Sequence, residues 1–186
     1  VPLRRSAQRS GLTQALGPKL KSSDLDTTES QLHALIGREV RSWFGVEMAV
    51  REVGPSGLPV FHDPSVPYLQ FLVLVADLGR DGFLRLATRQ WKTHWSLYAS
   101  RSLELDLPND YTGIFRQRMI DELPIGQATS LEILKDPDGG LEAAHIQIGS
   151  HLLHLIAGEV YEESNGTLRI QMGGDESVLA RVTRGA

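Results

Sequence analysis

Two apolar runs, residues 68–78 and 83–91, flank Gly79-Arg80-Asp81-Gly82, and this arrangement constrains the fold more than any other feature of the chain. A four-residue connection containing Asp-Gly favours a hairpin, because glycine adopts the positive φ that tight turns demand. The first run is apolar on both faces, which predicts the most central strand of a sheet. The second sets Leu84 and Leu86 against Arg85 and Ala87, the alternation of a neighbour strand.

Further short strands are predicted over 46–50, 60–61, 96–99, 103–107, 129–134, 141–148 and 178–182, where alternating or β-rich runs lie between turn residues. Asp136-Pro137-Asp138-Gly139-Gly140 is strong turn chemistry, and Asn165-Gly166 predicts a type I′ hairpin between 160–161 and 168–170. Residues 151–161 satisfy a helix or a buried strand about equally, and the hairpin that follows them favours the strand.

Two helices are predicted beside these strands. Asp26 and Glu29 have the spacing of a capping box. Leu32, Leu35, Ile36, Val40, Trp43 and Phe44 recur every three or four residues, which predicts an amphipathic helix over 27–44 packed on the core and ended by Gly45. Ile114, Phe115, Met119 and Ile120 predict a second helix over 111–122, stopped by Pro124. The expected fold class is therefore α+β, with about eight mostly antiparallel strands in a twisted sheet or partly closed barrel.

Charge divides the chain into two unlike parts. Residues 1–23 carry Arg4, Arg5, Arg9, Lys19 and Lys21 and no acid, whereas 24–186 carry 23 acids against 14 bases. A basic extended arm before a single acidic domain is expected, since 186 residues suit one core better than two. Such an arm suits an acidic protein or RNA as partner. It also resembles what remains at the front of an organelle-imported protein, and the chain starts at Val1 rather than Met. An intracellular location is expected, with a mitochondrion or plastid among the options after removal of a targeting segment.

The chain contains no cysteine, so disulfides, thiolate nucleophiles, iron–sulfur clusters and Cys-ligated zinc are excluded by chemistry. The longest apolar run, 69–76, is far short of the roughly 20 residues a membrane-spanning helix needs. His151 and His154 would share a face on a helix but not on a strand, and His145 would then lie far from His151 along one extended chain, so no metal site is expected. A Gly-x-Ser-x-Gly elbow is absent, and the glycines of 79–82 and 173–174 lie in strand turns rather than before a helix that could hold phosphate. No cofactor is expected.

The most suggestive cluster is Arg89, Trp91, His94 and Trp95, with His62 as an added candidate. Tryptophans beside cations can stack on an aromatic ligand or base, although two tryptophans between sheet and helix are also ordinary core. The acidic body argues against unaided nucleic-acid binding, because phosphate contacts supply most of that affinity. The leading expectation is a non-catalytic assembly or binding subunit of a larger complex, docking on other protein subunits by its sheet domain and the arm. One alternative is a small-molecule-binding protein or lyase-type enzyme with a pocket between curved sheet and helices. The other is an RNA-binding accessory protein acting through the arm, and a homo-oligomer is a further option.

Overall fold

A computed structural model describes residues 19–102 and 113–185. Among them are one α-helix and eleven strands in a single open sheet, every pairing antiparallel. The class is α+β as expected, with more strands and one helix instead of two. The elements in chain order are α1 (Ser22–His33), β1 (Glu39–Val40), β2 (Ser42–Met48), β3 (Leu69–Asp77), β4 (Phe83–Trp91), β5 (His94–Ser100), β6 (Phe115–Met119), β7 (Gly126–Lys135), β8 (Leu141–Ile148), β9 (His151–Glu162), β10 (Leu168–Met172) and β11 (Ser177–Arg184).

Strand β3 is the hub. Its early residues pair with β11, its late residues with β4, and its other edge with β2. Phe71 through Ala76 are all buried, as a run apolar on both faces requires. The Gly79–Asp81 3-10 turn closes the expected hairpin to β4. The ambiguous stretch is strand β9, paired with β8 and β10 along one edge and β11 along the other.

The first helix begins earlier and ends sooner than predicted. The Lys21 backbone N–H donates to the Asp24 carboxylate at 2.7 Å to start it, and the chain turns at Ala34–Gly37, where Gly37 takes a φ of 82°. The helical spacing beyond Leu35 is coincidence. Trp43 and Phe44 are neighbours on β2 that point to opposite faces, Trp43 into the main core and Phe44 into a second cluster with Val46, Val73 and Val75. Gly45 sits mid-strand instead of ending a helix.

The predicted second helix is also corrected. Phe115–Met119 form edge strand β6 in register with β2, because a period of two lets Phe115 join the cluster around Val46 while Arg116 and Arg118 reach Glu47 on the other face. Tyr111 and Thr112, and the strand predicted over 103–107, lie outside the described residues. The short strand at 60–61 is reduced to a single bridge, Arg51 to Val60. The 163–167 turn has positive φ only at Gly166, with the Gly166 N–H donating to the Glu163 carbonyl, so it is a type I turn with a glycine bulge rather than type I′.

The main core lies between α1 with the β4–β5 hairpin on one side and β7, β8, β9, β11 and β3 on the other. Thr28 of α1 accepts the Ala99 N–H of β5, so helix and hairpin are joined by a buried polar contact as well as by Leu25 and Leu32. A third apolar cluster forms where the 49–66 connection and β10 cover Val160 and Leu179.

Candidate ligand-binding cleft

Strand β11 pairs with β9 from Ser177 to Arg184 but with β3 only from Val178 to Ala180. Continuing that register would set Val182 opposite Pro67, which has no N–H to give to the ladder. A cleft of about 400 Å³ opens at this point, its walls drawn from the 62–69 segment, β6 with the residues just after it, and the end of β11.

Glu47 forms its floor. Alternation along β2 turns Glu47 to the face opposite Val46 and Met48, and both faces are covered at this point, so that Glu47 has no exposed side-chain surface. The facing strand supplies the counter-charges. Residues 116 and 118 are two apart on β6 and so share a face. Arg116 Nε donates to Glu47 Oε2 at 2.6 Å, while Arg118 Nε donates to Oε2 at 2.7 Å and its Nη2 to Oε1 at 3.2 Å. Arg118 also donates to both oxygens of Glu122 at 2.8 Å. The two carboxylates hold the Arg118 guanidinium charged well above its ordinary range, and in return Arg118 holds Glu122 below the usual carboxylate value.

The opposite wall carries Tyr68 and Arg181, the Arg181 guanidinium standing 6.0 Å from the Tyr68 ring centre. Val66, Pro67, Leu69, Leu123 and Val182 make the rest of the lining apolar. Arg181 also ends a polar row that crosses four strands, Glu132 to His145 to His154 to Arg181 in successive register. The His145 and His154 rings meet edge to face with centres 4.6 Å apart. Burial first, then the proximity of His145 and Arg181, keeps His154 below its ordinary value of 6.5.

Of the residues singled out from sequence, His62 lines this cleft. Arg89, Trp91, His94 and Trp95 lie elsewhere, on the β4–β5 hairpin. Lys92 and Thr93 form its two-residue turn, Lys92 taking a φ of 50°. Trp91 pairs with His94 and Gln90 with Trp95, so the two tryptophans point to opposite faces. Trp91 belongs to the main core, and Arg89 stacks over Tyr98 at 3.9 Å.

His94 acts as a fastening between two turns. Its Nε2 lies 2.5 Å from Asp136 Oδ2, while Asp136 Oδ1 accepts the N–H groups of Asp138 and Gly140. Lys92 Nζ adds bonds to the Asp138 carbonyl and carboxylate. Of the basic arm, Arg4, Arg5 and Arg9 lie outside the described residues. Lys19 and Lys21 are exposed, but Leu20 between them is buried and its N–H donates to the Gln90 carbonyl at 2.9 Å, which ties this stretch to the body.

Sequence reasoning missed Glu47, Arg116, Arg118, Tyr68 and Arg181. Alternation sets Glu47 on the face opposite Val46 and Met48, where the structure has it, but a period of two does not reveal that this second face is covered as well. The Arg-x-Arg spacing at 116 and 118 would have been informative had 111–122 been read as a strand. The histidine row was accessible too, since a two-residue Gly149-Ser150 turn sets Ile148 opposite His151 and therefore His145 opposite His154.

No family model matches the chain, and no curated protein or solved structure matches it. Among the described residues no helix is long and apolar enough to cross a membrane, and no three His, Asp or Glu side chains are grouped to hold a metal ion.

Proposed function

We propose that the protein binds a small organic molecule in the cleft above Glu47. The observation that carries this is the carboxylate itself: it has no exposed surface, yet it holds two arginines that line an open cavity. Removing a carboxylate from water costs several kcal/mol, and ion pairs of this kind return little net stability (about zero against an apolar pair of the same shape). Placed at the wall of a cavity within the usual range for ligand sites, they are better understood as a rigid recognition surface.

Binding is favoured over catalysis by the chemistry of the lining. Both Glu47 oxygens and both Glu122 oxygens accept from arginine, so neither acid is available as a base. The lining holds no serine, threonine or lysine, and His62 and the Tyr68 hydroxyl are the groups left that could move a proton, with no nucleophile beside them. The assembly role expected from the arm finds no comparable support among the described residues.

Titration of the full chain with the neutral fluorophore N-phenyl-1-naphthylamine tests the proposal. Saturable enhancement is expected, and Val182→Phe, which fills the cleft from a half-buried position, should weaken it at least tenfold without lowering the melting temperature. Unchanged binding by a folded Val182→Phe protein would refute the assignment.

A further inference from the structure

We infer that the ligand of this cleft is an organic monoanion with a flat apolar body, its acidic group held between Arg116 and Arg181; this rests on the cleft being the binding site. The three lining arginines differ in what they have left to offer. Arg118 is saturated, every nitrogen of its guanidinium donating to Glu47, to Glu122 or to the Met119 carbonyl. Arg116 commits only Nε, to Glu47, and among the described residues its two terminal nitrogens have no acceptor. Its plane lies over the Phe61 ring at 4.2 Å, which together with Glu47 fixes the direction of the free edge. Arg181 has no carboxylate within ion-pair distance among the described residues and rests against Tyr68.

Charge counting gives the sign. Three guanidinium groups face two carboxylates in the lining, a local excess of one positive charge on a domain that is otherwise acidic. A fork of two parallel N–H donors matches a carboxylate or sulfonate, and a single excess charge suits one such group. A polyphosphate would face Glu47 and Glu122 with too few free donors, and a cation would meet only carboxylate oxygens already bonded. The remaining surface sets the body of the ligand: Val66, Pro67, Leu69, Leu123 and Val182 offer no donor side chain, and the Tyr68 ring offers a flat wall.

Two fluorophores with nearly the same aromatic body but different charge separate this inference from the one it rests on. The full chain should bind 8-anilinonaphthalene-1-sulfonate at least tenfold more tightly than neutral N-phenyl-1-naphthylamine. Arg181→Gln and Arg116→Gln should each remove most of that preference, weakening the sulfonate probe several-fold more than the neutral one, while Arg116→Lys, which keeps the charge without the fork, should fall between. If both probes bind equally, or the preference survives in both glutamine variants, the anion assignment is wrong although the cleft stands. If neither probe binds, the cleft itself is wrong and the assignment falls with it.

Discussion

Arg118 grips Glu47 with two parallel hydrogen bonds across the β2–β6 pair, Nε to Oε2 at 2.7 Å and Nη2 to Oε1 at 3.2 Å, at a point where the carboxylate has no exposed surface. The contact depends on alternation in two paired strands, which sets Glu47 of β2 and the alternate arginines of edge strand β6 on one face of the sheet. Neither residue would be satisfied without the other.

Removing Arg118 should therefore cost more than removing its neighbour. Arg118→Gln leaves a buried carboxylate short of a bidentate partner, and an expected loss of about 3 kcal/mol follows from the usual penalty for breaking a buried pair. Arg116→Gln, whose side chain is 46% exposed, should cost about 1 kcal/mol. Urea denaturation of both variants checks the order.

Gly45 is required by close packing rather than by its backbone angles. A Cβ there would collide with the Val73 carbonyl oxygen on the adjacent strand. Gly45→Ala should destabilise by about 2 kcal/mol, the ordinary cost of overpacking, with the spectrum of a sheet protein retained. Chemical denaturation followed by far-ultraviolet circular dichroism measures both.

The turn fastening at Asp136 should show a similar asymmetry. Asp136→Ala strands two backbone N–H groups and the His94 ring, an expected loss of about 2 kcal/mol. Lys92→Ala removes a half-exposed ion pair and an exposed bond to the Asp138 carbonyl, and should change stability by less than about 0.5 kcal/mol. Thermal unfolding of the two variants side by side distinguishes them.

The histidine row predicts a pH dependence of defined sign. His154 is held below its ordinary value when folded, so the unfolded chain takes up the proton first as pH falls. Its contribution to stability is present above pH 6.5 and is lost as the pH drops through the folded value. Denaturation midpoints between pH 7.5 and 5 should decline in the parent protein and decline less in His154→Gln, which keeps a polar side chain beside Thr183.

Much of the sheet was legible because its determinants are local. The two-faced apolar run of β3, the Gly79–Gly82 connection and the Asp136–Gly140 turn each carry their own geometry, and all three stand where the sequence places them. The helices were misjudged where short strands happened to repeat apolar residues at helical intervals, as from Val40 to Phe44 and from Phe115 to Ile120. The site was less legible still. Its parts come from β2, the 62–69 segment, β6 and β11, which are brought together only by pairing over long separations, and nothing local to β2 signals that the Glu47 face is covered.

The central claim is that ligand enters beside Glu47 rather than at the tryptophan hairpin. Nitrogen-15 spectra of the full chain during titration with N-phenyl-1-naphthylamine resolve arginine Nε–H and tryptophan indole signals in one experiment. The account predicts that the Nε–H signals of Arg116 and Arg118 and the Val182 amide shift saturably while the Trp91 and Trp95 indoles stay in place. Shifts of the indoles with the arginine signals unmoved would contradict it.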